Sequence, residues 1–289
     1  MRKVVLITGC SSGVGFHTAL KLSTLGYKTY ASMRDLGKAD KLKAAAKDLS
    51  TDLEVLPLDV QDAKSIEAAV KSVVDREGRI DALVNNAGFG FVRSLEQATE
   101  AEVNDVFDVN YFGVARCVKA VLPHMRSQKS GHILAVSSVG GLVGQPMNEL
   151  YCSAKFAVEG LFESMATYLE PYFNIKMTLI EPAGIKTEFV GRVMSDMKAT
   201  GGIREDAYAP ILKDYFATAA KRGSFETNAQ TPEQVADVIV AALQNPKGEL
   251  RIQTSPVAKA FCAEKLAQDP TGELLQTRIR SQLLGILKS

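Results

Sequence analysis

Residues 4–15 read Val4-Val5-Leu6-Ile7-Thr8-Gly9-Cys10-Ser11-Ser12-Gly13-Val14-Gly15. The first four are apolar without alternation, and three are β-branched. That pattern suits a strand buried on both faces, as in a parallel sheet. Thr8-Gly9 ends the run. Gly13 opens a stretch that reads as a helix to about Leu25, with Gly26 as its C-cap. Strand, glycine turn and helix in this order begin a βαβ unit. Gly9, Gly13 and Gly15 let backbone approach a ligand without a Cβ in the way. The N–H groups of Gly13, Val14 and Gly15 open the helix, where its dipole favours a phosphate, and Ser11 and Ser12 lie in the same loop. The spacing G-x-x-x-G-x-G departs from the G-x-G-x-x-G fingerprint. Alone it also describes a tight strand-to-helix turn. Its place after the first strand is what favours a dinucleotide.

The alternation continues down the chain. Thr29–Met33, Leu53–Leu58, Ala82–Val84, His132–Val136, Lys176–Ile180 and Glu249–Gln253 read as strands. Lys38–Leu49, Ala63–Arg76, about 102–125, about 149–172 and Pro232–Leu243 read as helices between them. Such alternation predicts an α/β fold: one doubly wound, Rossmann-type domain over residues 1–289 with a seven-stranded parallel sheet. The stretch from about 187 to 228 lacks strand signals and carries Met, Tyr and Phe. It reads as a helical substrate lid over the carboxyl edge of the sheet. Residues from about 254 to 289 form a C-terminal extension. Its segment Leu274–Leu287 is expected to fold back on the core or to meet a second subunit.

Composition narrows the function. Of 289 residues 46% are hydrophobic and 23% charged, the balance of a globular protein with a full core. Lys plus Arg is 34 and Asp plus Glu is 33, so the net charge of +1 recruits neither nucleic acid nor an anionic membrane. The longest apolar run, Val238–Leu243, is far short of the ~20 residues of a membrane span. The apolar start at Val4–Ile7 is too short for a signal peptide. Cys10, Cys117, Cys152 and Cys262 form no CxxC, and His17, His124 and His132 form no HExxH, so neither a disulfide framework nor a metal site is expected. The expectation is a reduced, cytoplasmic protein.

Three further places carry chemistry. The end of the second strand normally meets the adenosine ribose: a carboxylate there binds a free 2′-OH, an Arg a 2′-phosphate. Here it reads Ser32-Met33-Arg34-Asp35. Arg34 favours NADP(H), while Asp35 as the ribose reader leaves NAD(H) open. Tyr151 and Lys155 stand at i, i+4 on one helix face. An ammonium beside a phenol favours the phenolate, and bringing Tyr from about 10 to about 7 needs about 4 kcal/mol. Such a Tyr exchanges a proton with a carbonyl oxygen while hydride moves at carbon. Tyr172 and Lys176 share the spacing but straddle a helix end, and read as structural. Ser138 follows the fifth strand and offers a hydroxyl to a developing oxyanion, with Ser137 as its competitor.

Together these residues resemble the short-chain dehydrogenase/reductase family. Thr8-Gly9-x-x-x-Gly13-x-Gly15, Asp59, Asn85-Asn86-Ala87-Gly88, Asn110, Ser138, Tyr151 and Lys155 occur in the family's order and spacing, over about residues 3–190. The resemblance implies that Tyr151 is the acid/base and that Ser138 orients the carbonyl. It implies that Lys155 holds the nicotinamide ribose and lowers the Tyr151 pKa, and that Asn110 holds a water that feeds protons to Lys155. Asp59 and Val60 would flank the adenine, and Asn86, Ala87 and Gly88 would lie along the adenosine side. Ile185 and Thr187 would meet the cofactor after the sixth strand, although Ala183 stands where the family often has Gly. Asp59 read as a cap, Asn110 as the partner of a helix kink, and Asn85 with Asn86 as strand ties are the plainer alternatives.

Thr8–Gly13, Met33-Arg34-Asp35, Ser138–Gly141 and Tyr151–Ala157 are most similar to the branch containing 17β-hydroxysteroid dehydrogenase type 1 and related retinol dehydrogenases. That branch implies a small apolar ketone, aldehyde or secondary alcohol as substrate, of steroid, retinoid or aromatic type. Met147, Phe189, Val193, Met194, Met197, Tyr208 and Phe216 are candidate pocket residues. The family also implies a homodimer or homotetramer through its two long helices. Two other functions share the fold: a non-catalytic NADP-binding regulator, and a nucleotide-sugar epimerase or dehydratase. The complete Asn110, Ser138, Tyr151 and Lys155 set argues against the first. The short stretch beyond the seventh strand argues against the second.

Overall fold

In the computed structural model, Val4 and Leu6 of β1 (Val4–Ile7) pack into one hydrophobic cluster, and Val5 and Ile7 into another. Successive side chains of a strand point to opposite faces, so an unbroken apolar run fills both. Residues 2–186, 195, 197–198, 201–221, 229–245 and 248–284 are described. Leu6 meets Ile66 and Val70 of α3 (Ala63–Glu77), Val118 of α5 (Gly113–Gln128) and Phe162 of α6 (Glu149–Phe173). On the other face, Ile7 joins Leu22 of α1 (Gly13–Thr24), Leu42 of α2 (Asp40–Asp48) and Ile239 of α8 (Pro232–Gln244). Each such side chain, fully buried, contributes about 1.5–3 kcal/mol before entropy is counted.

Between the two helical layers lies one all-parallel, seven-stranded sheet of order β3-β2-β1-β4-β5-β6-β7. The remaining strands are β2 (Lys28–Met33), β3 (Leu53–Pro57), β4 (Ala82–Asn85), β5 (Gly131–Val136), β6 (Ile175–Glu181) and β7 (Arg251–Gln253). The chain winds outward from β1 to β3, then crosses to β4 on the other side of β1. That reversal opens a crevice at the carboxyl ends of β1 and β4, where ligands bind in such sheets.

Local signals set the boundaries. Asp62 caps α3 through its side chain, and Gly78 ends it at φ 71°. α4 (Glu100–Phe107) starts with a reciprocal Thr99–Glu102 capping box, and α8 with Thr231–Gln234 and Pro232 in its first turn. The long helix expected over about 102–125 spans two helices, α4 and α5, joined by a π turn at Asp108–Phe112. The expected third strand stops one residue early, and the seventh is only Arg251–Gln253. The helix expected from Lys38 is a 3-10 turn (Leu36–Lys38) followed by α2.

The lid expectation meets α7 (Ala209–Lys221), whereas residues 187–194 and 222–228 lie outside the described residues. Beyond β7 come two helices, α9 (Pro256–Leu266) and α10 (Glu273–Leu284). The latter folds back on α6, where Gln276 Nε2 donates to the Glu163 carbonyl at 3.4 Å. Among the described residues no helix is long and apolar enough to cross a membrane, and no group of His, Cys, Asp and Glu is placed to hold a metal.

Candidate active site

The crevice is built by two loops drawn tightly together. Thr8 Oγ1, at the end of β1, accepts from the N–H groups of Asn86 (3.0 Å) and Ala87 (3.1 Å) beyond β4. Asn86 Nδ2 donates to the carbonyls of Thr8 (3.0 Å) and Gly9 (2.9 Å). Gly9 is at φ 73°, and a Cβ there would stand 2.8 Å from the Ala87 Cα. A Cβ on Gly15 would stand 2.4 Å from Asn86 Nδ2. These two glycines are therefore required by the fit of the loops. The Asn86 side chain is spent on tying them, the plainer of the two sequence readings. Thr8, whose hydroxyl organises the junction, stood in the motif without a role; its burial at a strand end was the available signal.

What remains for a ligand is the start of α1. Ser12 is its N-cap but makes no side-chain cap bond, and its first turn holds no acid. The N–H groups of Gly13, Val14 and Gly15 thus face the crevice end of the helix with its positive dipole. Ser11 is half-buried beside them. Cys10 is buried, its N–H donates to Ser32 O at 2.9 Å, and burial pushes its thiol up to about 12, so it is inert.

At the end of β2 the two candidate ribose readers separate. Asp35 Oδ1 accepts from Gly37 N–H at 2.9 Å and caps the turn that follows. Arg34 is exposed, and no hydrogen bond or ion pair ties it among the described residues. Asp59 Oδ1 accepts from Gln61 N–H at 3.1 Å, so it too acts as a local cap. Val60 is buried against α5, where a Cβ on Gly113 would stand 2.8 Å from the Val60 Cβ. This glycine-lined, phosphate-favouring helix start with an exposed Arg beside it fits a phosphorylated dinucleotide.

The candidate catalytic side chains gather at the end of β5. Ser138 hydrogen-bonds Tyr151, and its Oγ also accepts from Gly140 N–H at 2.9 Å. Ser137 points elsewhere: its Oγ lies 2.8 Å from where a Cβ on Gly141 would be, beside Glu159. Of the two serines, Ser138 is the one beside Tyr151. Lys155 Nζ lies 5.6 Å from the Tyr151 ring centroid and donates to Val136 O at 2.9 Å. A Cβ on Gly88 would stand 2.8 Å from Asn110 Oδ1 and 3.7 Å from Lys155 Nζ, which brings Gly88, Asn110 and Lys155 to one place.

Asn110 sits in the π turn, with Nδ2 donating to Phe89 O and Val106 O, both at 3.0 Å, and Oδ1 accepting from Phe89 N–H at 3.2 Å. Its side chain therefore serves the kink and the β4–α4 loop. Burial pushes the Tyr151 phenol up to about 12, and the Ser138 hydrogen bond opposes the rise. Burial in turn pulls Lys155 down to about 8, with Glu159 acting the other way.

The described parts of the 187–228 stretch pack against the loop after β4. Met197 and Tyr208 line a small pocket with Val92, Arg93, Ile203 and Leu212, at which Gln97 Nε2 donates to Asp206 Oδ2 at 2.7 Å. Met147 is buried, and Phe216 is half-buried. Phe189, Val193, Met194 and Thr187 lie outside the described residues. Ile185 is half-buried and pairs with Gln230 in an isolated bridge. Tyr215, close enough to Cys152 to feel its charge, brings a further phenol toward the Tyr151 helix. Nothing in its sequence setting marked it.

Residues 3–198 match the family model described as short chain dehydrogenase. The chain is 40% identical to 17-beta-hydroxysteroid dehydrogenase type 1 of Homo sapiens over 98% of its own length and 87% of that relative's. It is 40% identical to retinol dehydrogenase 8 of Bos taurus over 94% of its length and 87% of that relative's. Among solved structures it is similar to a short-chain dehydrogenase from Streptomyces avermitilis, with 30% identity, TM-score 0.76 and 98% of each chain covered. It is also similar to a short chain dehydrogenase/reductase from Burkholderia phymatum in complex with NAD, with 25% identity, TM-score 0.77, and 93% and 96% covered. The structure of ElxO with NADP bound is similar at 26% identity and TM-score 0.72, with 89% and 100% covered.

Proposed function

The chain belongs to the short chain dehydrogenase family, an oxidoreductase acting on CH–OH with NAD(P), and on that premise we propose an NADP-dependent enzyme for an apolar ketone, aldehyde or secondary alcohol. The observation that carries this reading is the Ser138–Tyr151 hydrogen bond with Lys155 Nζ under the Tyr151 ring, at the end of β5. Arg34, exposed at the end of β2, supports a 2′-phosphate. The 17-beta-hydroxysteroid and retinol dehydrogenases similar to this chain support an apolar substrate of steroid or retinoid type.

In this reading a nicotinamide cofactor, when bound, would supply the hydride chemistry. Gly13, Val14 and Gly15 hold the cofactor phosphates through their N–H groups, and Asn86 keeps the loop in shape. Ser138 Oγ donates to the substrate oxygen and fixes its position. Tyr151 passes its phenolic proton to that oxygen during reduction and takes it back during oxidation. A phenol held at about 12 is mostly neutral at pH 7 and thus ready to donate. Oxidation needs the phenolate, which the Lys155 ammonium and the positive charge of the oxidised ring favour together. The two long-helix faces, α4–α5 and α6, carry the homodimer or homotetramer contacts.

The test is NADPH consumption by purified protein with a steroid ketone, retinal, an aromatic ketone and a small diketone, for the chain and for Tyr151→Phe. Turnover on an apolar carbonyl is expected. Tyr151→Phe is expected to lose about 10²–10⁴-fold in kcat while still binding NADPH. Turnover on the small diketone alone would overturn the apolar assignment. Unchanged kcat in Tyr151→Phe would remove Tyr151 as the proton donor.

A further inference from the structure

Lys155 heads a file of charged side chains that runs away from the site along α6. Tyr151, Lys155, Glu159 and Glu163 recur every fourth residue and so share one helix face. Lys155 is 5% exposed and Glu159 4%. Opposite them stand Glu181, at the end of β6 and fully buried, and Arg251 of β7. Arg251 Nε donates to Glu159 Oε2 at 3.2 Å and lies 3.7 Å from Glu181 Oε1, while its Nη2 pairs with Glu163. Gln253 Nε2 donates to Glu181 Oε2 at 2.5 Å. The C-terminal extension closes the cluster: Arg251 N–H donates to Thr271 O, and a Cβ on Gly272 would stand 2.7 Å from Arg251 Nη1.

Burying such a cluster is costly in desolvation, and apolar side chains fill the same space more cheaply. Its charge balance shows what the cost supports. Three carboxyls face two cations. Burial and the neighbouring Glu159 push the Glu181 carboxyl up to about 9, so at neutral pH Glu181 holds a proton. Burial raises the Glu159 carboxyl as well, against the Ser137 hydrogen bond and then Arg251. Arg251 Nε stands nearer Glu159 (3.2 Å) than Glu181 (3.7 Å), and the neutral Gln253 amide serves Glu181, so of the two carboxyls Glu159 is the one placed to carry the charge, one turn from Lys155. Its charge opposes the loss of the Lys155 proton that burial favours. The remaining titratable neighbour, Cys262 of α9, is pushed up to about 12 and stays neutral.

We propose that Glu159 is a positioning residue: its carboxylate, held by Arg251 one turn beyond Lys155, keeps the Lys155 ammonium charged while Lys155 serves Tyr151. This rests on the Tyr151–Lys155 reading given above. It assigns the buried Glu159–Arg251 pair a part in the reaction that its distance from the substrate side conceals.

The experiment is NADPH affinity by fluorescence titration of the full chain from about pH 6 to 9.5, with the pH profile of kcat beside it. The affinity of the parent protein is expected to break downward as Lys155 loses its proton. Glu159→Gln is expected to move that break to lower pH by about one unit, with a parallel move in the basic limb of kcat. Glu181→Gln removes an equally buried acid of the same cluster and is expected not to lower the break. A Glu159→Gln profile that overlays the parent's, or equal downward moves in both variants, overturns the proposal. Should Glu159→Gln fail to fold, Glu159→Asp draws the carboxylate back from Lys155 while keeping its charge, and is expected to move the break to lower pH by a smaller amount. Lys155→Met separates the two levels. A break that survives in Lys155→Met is not that of Lys155 and sinks the Tyr151–Lys155 reading itself. A break abolished there but unmoved in Glu159→Gln sinks only the role of Glu159.

Discussion

Arg34 and Asp35 are neighbours at the end of β2, and in the function proposed above a single residue, Arg34, decides which nucleotide that edge favours. Asp35 is engaged in capping the Leu36–Lys38 turn through Gly37 N–H. Arg34 is exposed and without a partner among the described residues, which leaves its guanidinium for a 2′-phosphate. A charge-assisted contact of this kind contributes about 1.5–3 kcal/mol, so Arg34→Ala is expected to weaken NADPH by about 10–100-fold and NADH hardly at all. Equal losses for both nucleotides, in fluorescence titrations at one ionic strength, would remove Arg34 from the 2′-phosphate. Much at this scale was readable in the sequence, because glycine spacing and the Tyr151–Lys155 interval are local facts. What was not readable is which of two adjacent side chains turns toward the site. Ser137 and Ser138 differ only in the direction a strand end gives them, and the Asn86 amide is claimed by carbonyls that lie 78 and 77 positions earlier.

Elements were predicted where one periodicity ran unbroken and missed where a tertiary partner overrode it. The strand pattern of Val4–Ile7 needs no context. The π turn at Asp108–Phe112 does: it exists where the Asn110 side chain clamps both main-chain groups of Phe89, a partner invisible to helical spacing. Between two elements lies a titration with a definite sign. His132 of β5 is buried and bonds Thr178 of β6 at 2.9 Å. Burial, with Lys176 and Lys3 nearby, pulls its imidazole down to about 3. The unfolded chain takes up the proton near pH 6.5, while the folded chain refuses it until about pH 3. Stability from this group is therefore complete above about pH 6.5 and falls as pH drops through the window, by up to about 1.4 kcal/mol per unit. Urea unfolding at pH 7 and pH 4.5 is expected to show a smaller acid loss in His132→Gln than in the parent chain. Equal losses in the two would place the acid sensitivity elsewhere.

At the scale of the whole molecule, the sheet order brings the Gly9–Gly15 loop and the start of the Tyr151 helix to its carboxyl edge, and two long helices carry exposed aromatic rings away from it. Phe112 at the head of α5, and Tyr168 and Tyr172 late in α6, are large and exposed. Amphipathic helices that already bury one face in the core have no folding reason to carry aromatic rings on the other. Clustered exposed aromatics mark contact surfaces. A second copy of the chain, related by a two-fold axis, would bury the same patch on both sides and close the assembly. Light scattering at micromolar concentration is expected to give a dimer or tetramer. The double variant Tyr168→Glu/Tyr172→Glu puts like charges into both halves of such a contact at once, so it is expected to shift the mass to the monomer with little change in Tm. A parent chain that is monomeric at the same concentration, or a variant that keeps the oligomer, would take the aromatic face out of the assembly.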